Sequence, residues 1–250
     1  GVIGTVEGQK TVDPAFGIDA IWIEEAFSER ARIAGYTVVD HTSTMVTHVS
    51  EVVRRHAPEL LGRPETQQLL DVLSKSSPKI VEELVPQRLT LGQVQKVLRA
   101  LLRERVPIRD MQTICETLLD LNTGADLHEL VERTRQALGR SLVRPLLDQG
   151  VLRVLALSPE VEQEVRGMLN AGPEGKPVAP DPRSTQSLIN RVAEAVSQAP
   201  PGGQPAVLCG GGDIRAVMRR ITEGTLPNFA FLSVFEIPET TIVKTVGVVR

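Results

Sequence analysis

The sequence predicts a multi-subdomain α+β fold: partial α/β modules at the N-terminal end, a central all-helical, winged-helix-like subdomain, and a C-terminal α/β subdomain. Three observations predict it. Residues 1–40 alternate short β-rich runs with one helical stretch. Residues 59–145 carry apolar side chains almost wholly at helical spacing. After residue 150 the pattern returns to short apolar runs, glycine- and proline-rich turns and amphipathic helices, the alternation of an α/β domain.

Each element follows from local signals. Residues 2–6 form a short apolar stretch broken by Gly4. "AIWI" (20–23) reads as a short apolar strand or a buried turn. Residues 24–35 have helical composition and stop at Gly35, a glycine suited to a left-handed helix end. "YTVVD" (36–40) is rich in β-formers and reads as a strand. Thr42 or Ser43 caps the next helix. Its apolar positions are Met45, Val46, Val49, Val52 and Val53, and it ends near Pro58.

Five short helices follow. Pro64 suits the first position of one carrying Leu69, Leu70 and Leu73. Ser77-Pro78 starts the second. Thr90 caps the third, with Val94, Val97, Leu98 and Leu101 on one face. "VPIRDMQTICETLLDL" supplies the fourth, and Asp126 caps the fifth. Connections of two to six residues make this a helical cluster. Beyond it, strands are expected at 151–157, 206–209, 229–237 and 241–249. Helices are expected at 159–169, 184–197 and 213–223. "NAGPEGKPVAPDP" reads as a disordered loop.

Composition narrows the function. The formal net charge is −3, so no bulk attraction to nucleic acid or anionic lipid is expected. The two cysteines, Cys115 and Cys209, form no CxxC pair and lie in no His–Cys cluster, which argues against a zinc site or a disulfide scaffold. No apolar run reaches about 18 residues, the length a membrane-spanning helix needs. The chain begins at Gly1 without an initiator Met, which suggests a fragment of a longer protein.

No catalytic constellation emerges. "AVLCGGGDIRAVMRR" (206–220) places a glycine cluster between a strand and a helix, a setting that can cradle phosphate. It lacks GxxxxGK[ST] and GxGxxG, and Asp213 at the helix start would repel an anion, so a tight turn capped by Asp213 is the better reading. Val207 stands where a nucleophile elbow around Cys209 needs glycine. His48 and His56 are eight residues apart on one helix, too far for one ion. Glu24-Glu25 and Glu82-Glu83 point about 100° apart on a helix and form no acid/base pair. A non-enzymatic binding role with no cofactor is therefore expected.

"TVDPAFGIDAIWI" (11–23) stands out instead. It places Phe16, one of seven aromatics in 250 residues, in a turn between Asp13-Pro14 and Gly17. With "GYTVVDHTSTMVTHVSEVVRRHAPELLGRPETQQLLD", "KIVEELVPQRLTLGQVQKVLRALLRERVPIRDMQTICETL", "LVERTRQALGRSL" and "PNFAFLSVFEIPE", it resembles the C-terminal cytoplasmic domain of the type III export gate family (FlhA/FHIPEP). "LTLGQVQKVL" and "VPIRDMQTICETL" lean to the flagellar branch over the virulence injectisome. The resemblance is long and specific over residues 11–145 and thins beyond.

The resemblance implies four subdomains. Residues 1–40 would be part of an inserted second α/β subdomain, 41–60 the helix returning to the first, 61–140 the helical third and 141–250 the α/β fourth. Most of the first subdomain is missing from this sequence. The implied role is a docking platform at the cytoplasmic face of the bacterial inner membrane. Its implied partners are export chaperone–cargo complexes, the export ATPase apparatus and its own copies in a nine-membered ring, but not nucleic acid. Asp13, Phe16 and Thr47 match the family's chaperone-docking motif. A pocketed aromatic such as Phe16 would be worth about 2 kcal/mol or more on truncation. The plainer alternative is that Phe16 plugs a joint and Asp13 caps a turn.

Overall fold

The computed structural model describes residues 4–122, 124–169, 181–226 and 229–250. The chain divides into two compact units, Gly1–Leu61 and Gly62–Arg250.

The first unit opens with a β-hairpin. Strand β1 (Gln9–Val12) pairs antiparallel with β2 (Asp19–Trp22), with Val12 opposite Asp19 and Gln9 opposite Trp22. The sequence reading found β2 and missed β1, whose "QKTV" has one strongly apolar residue. A 3-10 turn (Glu25–Phe27) leads into α1 (Ser28–Ile33). Gly35, at φ +88°, ends it as expected, and Tyr36 N–H donates back to the Ala31 carbonyl at 3.0 Å. Residues 36–40 are not the expected strand. A β-rich run becomes a strand only where another edge takes its backbone groups, and among the described residues none pairs with this one. Tyr36 instead donates its hydroxyl to the Gly4 carbonyl at 3.3 Å. Helix α2 (His41–Leu60) is capped by Asp40 rather than Thr42 or Ser43: Asp40 Oδ1 accepts from Ser43 N–H at 2.9 Å and Oδ2 from the Ser43 hydroxyl at 2.6 Å. The helix runs through Pro58 to Leu60, because proline removes one intrahelical donor but Leu61 N–H still reaches the Ala57 carbonyl at 3.1 Å.

The second unit begins with α3 (Arg63–Ser74), α4 (Pro78–Leu84), α5 (Leu91–Arg103), α6 (Met111–Asp120) and α7 (Leu127–Ala137). Thr90 and Gln93 cap α5 reciprocally, and Asp110 and Asp126 cap α6 and α7. Pro64 takes the second helical position, because α3 starts at Arg63. Leu70, Leu84, Val97, Leu98, Leu101 and Ile114 are fully buried. Among the described residues from 62 to 146 there is no strand, so the winged-helix-like expectation finds helices without a wing.

Next come α8 (Gly139–Val143), a 3-10 turn (Arg144–Leu146), β3 (Leu147–Asp148) and β4 (Val151–Leu157). They are followed by α9 (Pro159–Leu169), α10 (Pro182–Ser197), β5 (Ala206–Cys209), α11 (Gly212–Thr222), β6 (Phe231–Ser233) and β7 (Ile242–Val249). Strand β4 lies between β5 and β7, parallel to both. Strand β6 runs parallel beside β5, and β3 folds back antiparallel onto the start of β4. Leu155, Val161, Val165, Leu188, Val192, Val207, Ile214 and Met218 form the core between sheet and helices. The strand expected over 229–237 is shorter, because the Glu236 carboxylate turns back to accept Ser233 N–H at 2.8 Å and winds residues 234–236 into a 3-10 turn. The cap of α11 is Gly211, with Asp213 inside the first turn, not the expected Asp213 cap. Most of "NAGPEGKPVAPDP" lies outside the described residues.

Buried charge joins the helical and sheet halves of this unit. Arg215 on α11 clasps Glu132 on α7, with Nε 3.2 Å from Oε2, and also pairs with Glu104 just past α5. Arg135 on α7 reaches Glu104 at 3.0 Å and Glu236 at 2.5 Å. Burial alone would lower the Arg215 pKa, but Glu132, Glu104 and Glu236 outweigh it and hold it above its ordinary value.

Candidate docking site

The hairpin turn is built by Asp13. Its Oδ1 accepts from both Ala15 and Phe16 N–H at 2.8 Å. Its own N–H donates to the Ile18 carbonyl and its carbonyl accepts from Gly17 N–H, both at 2.8 Å. Gly17 sits at φ +70°, the left-handed region glycine enters without strain. With the backbone so tied, Ala15 turns inward and is buried, while Phe16 turns outward and stays 54% exposed. Val12 and Ile18 beside it are also exposed, so the tip is an apolar knob on a hydrogen-bonded turn.

A second surface lies on α2. Met45, Val46, Val49 and Val53 are all more than half exposed, a continuous apolar stripe at helical spacing. Thr47 is exposed on the same two turns. Trp22 at the end of β2 stacks on His41 at the start of α2, ring centroids 5.3 Å apart and planes 6° from parallel. That contact ties hairpin to helix. The turn thus brings Asp13 and Phe16 together. Thr47 lies on α2, the helix tied to the hairpin through His41. The Trp22–His41 stack was not foreseen; a lone Trp in a short apolar strand was its one signal.

The rival sites are closed or incomplete. In the glycine turn, Gly210 N–H donates to Glu162 Oε1 at 2.8 Å. A carboxylate therefore occupies the place a phosphate would take. Cys209 and Cys115 are buried, and burial pushes both thiols up, Cys115 to about 12. Neither is a thiolate near neutrality. His56 Nδ1 lies 3.1 Å from Glu59 Oε2, on the same helix as His48 but two turns away. Among the described residues no cluster of His, Cys, Asp and Glu could hold a metal ion. Nor is any helix there long and apolar enough to cross a membrane.

Comparison with known proteins covers most of the chain. The model of the FHIPEP family matches residues 2–242. The flagellar biosynthesis protein FlhA of Bacillus subtilis (strain 168) is 38% identical over 248 residues, covering 98% of this chain and 36% of that protein. FlhA of Escherichia coli (strain K12) is 40% identical over 240 residues, covering 94% of this chain and 34% of that protein. The chain thus spans about a third of the length of these relatives. Among solved structures, the nonameric EPEC SctV-C superposes with a TM-score of 0.80 at 25% identity, covering 99% of this chain and 75% of that one.

Proposed function

Because the chain belongs to the FHIPEP family, we propose that it is a cytoplasmic docking platform of the flagellar type III protein export gate. On this reading it binds export chaperone–cargo complexes and assembles with copies of itself into a ring at the cytoplasmic face of the inner membrane. The supporting observation is the Phe16 knob: an aromatic held out of the core by a turn whose four hydrogen bonds serve only to shape it. Exposed apolar groups on a preorganised turn lose little entropy on binding, which is the property of a docking anchor. Asp13 shapes the turn and offers a carboxylate beside the anchor. Thr47 and the α2 stripe extend the surface.

Identities near 40% to FlhA proteins favour the flagellar branch. The nonameric state of SctV-C supports a nine-membered ring. The export ATPase apparatus is a further proposed partner. Chemistry has no part in this reading, which needs neither cofactor nor nucleic acid.

The test is calorimetric titration of the protein's cytoplasmic part with a flagellar chaperone–cargo complex, with Phe16→Ala beside it. Saturable binding that Phe16→Ala weakens by about 2 kcal/mol or more supports the reading. Unchanged affinity in that variant sinks the site. Binding of an injectisome chaperone and not a flagellar one would move the protein to the sister branch.

A further inference from the structure

Trp22 and His41 meet as flat plates, ring centroids 5.3 Å apart and planes 6° from parallel. Both residues lie at the surface, so burial in a core does not explain the fit. Each ring stands on held backbone. Trp22 ends β2 opposite Gln9, and Gly8 lies so close to it that a Cβ there would sit 2.3 Å from the Trp22 carbonyl oxygen. His41 opens α2, where the Asp40 carboxylate accepts from Ser43 and the Asp40 carbonyl accepts from the Thr44 hydroxyl at 3.0 Å. A contact between two held ends transmits angle.

Both docking surfaces extend from this corner. Strand steps of about 3.3 Å carry the hairpin from Trp22 to Asp19, and the turn sets Phe16 beyond. Helical steps of about 1.5 Å carry α2 from His41 to Thr47. Each arm is therefore roughly 10 Å long, and a tilt of about 10° at the corner displaces Phe16 by about 2 Å. A binding constellation has to be held within about 0.5 Å. The hairpin strands are four residues each and mostly exposed, and a two-stranded hairpin holds no fixed angle in water without packing against something else.

We propose that the Trp22–His41 stack is the pivot that sets the distance between the Phe16 knob and the α2 stripe, which makes His41 a positioning residue for docking. This assignment rests on the docking reading above. Knob and stripe present one surface to the chaperone–cargo complex while the rings are stacked, and two loosely related ones when they are not.

Trp22 is the one tryptophan of the chain, so its emission in the protein alone reports the stack. His41→Ala should shift that emission and shorten its anisotropy decay, and His41→Phe, which can still stack, should restore both. Circular dichroism and melting temperature should stay close to wild type in each, because the substituted ring is a surface group. In calorimetric titration with a flagellar chaperone–cargo complex, His41→Ala should weaken binding about three- to tenfold, and His41→Phe should recover it to within about twofold. In a Phe16→Ala background, His41→Ala should change affinity by less than about twofold, since an anchor already removed cannot be misplaced. Unaltered emission in His41→Ala overturns the pivot. So do unchanged affinity in that variant, a loss that His41→Phe fails to recover, and additive losses in the double variant. In each of these cases wild-type binding that Phe16→Ala weakens leaves the docking reading standing. A wild type that binds no chaperone–cargo complex overturns the docking reading and the pivot with it.

Discussion

Arg215 and Glu132 lie 83 residues apart and meet face to face in the interior, the arginine side chain 1% and the glutamate 8% exposed. One comes from the helix that follows the glycine turn, the other from the last long helix of the helical cluster. Their contact locks the two halves of the second unit in register.

This makes Arg215 the most sensitive position in the unit. Arg215→Met leaves Glu132 and Glu104 without their shared partner in a dry setting. The expected loss is about 3–5 kcal/mol, the usual cost of breaking a buried pair from one side. Urea unfolding read by circular dichroism checks it. Replacing Arg215 and Glu132 together by apolar residues should cost less than Arg215→Met alone, because the stranded charge disappears.

Glu104 predicts an acid limb of the stability curve. Burial raises its pKa, but Arg215 and Arg135 outweigh that and hold it below its ordinary 4.5. A carboxylate whose folded pKa is depressed contributes stability above its unfolded pKa and loses it as pH falls through the folded value. Melting temperature should therefore fall as pH drops below about 4.5. Glu104→Gln should be less stable at neutral pH and show a shallower acid slope. Identical slopes in the two proteins would remove Glu104 from the account.

Gly139 tests the closeness of the same joint. A Cβ there would sit 2.3 Å from the Glu236 carbonyl oxygen, a backbone atom that cannot swing aside. Gly139→Ala should destabilise by about 1–3 kcal/mol through overpacking. Gly224, with open space around its Cβ position, is the control: Gly224→Ala should change stability far less in the same denaturation series.

At the hairpin, Asp13→Asn separates shape from charge. Asparagine keeps the oxygen that accepts from Ala15 and Phe16, so amide exchange in the turn should be little changed. Asp13→Ala removes it, and the turn should exchange faster, with a cost of about 1 kcal/mol. On the docking reading, chaperone affinity drops in Asp13→Ala through a loosened knob. Any drop in Asp13→Asn then measures the carboxylate itself, by titration calorimetry.

Local signals carried most of the fold. Thr90 and Asp126 announce their helices because a cap is satisfied within four residues. Strands 151–157 and 206–209 are legible because both faces of a parallel strand are buried and the run is uniformly apolar. The export-gate resemblance rested likewise on contiguous motifs. Where the outcome depended on distant partners, the sequence was silent. Residues 36–40 have strand composition without an edge to pair with, and "QKTV" pairs as a strand because Asp13 turns the chain back beside it. The exposure of Phe16 follows from which of two adjacent residues the turn sends inward, and that choice is made by Ala15. Glu104, Glu132, Arg135, Arg215 and Glu236 look like scattered surface charges along the chain. Only the packing of α7 against α11 and of both against the β6 turn removes them from water together, and only then does each need the others.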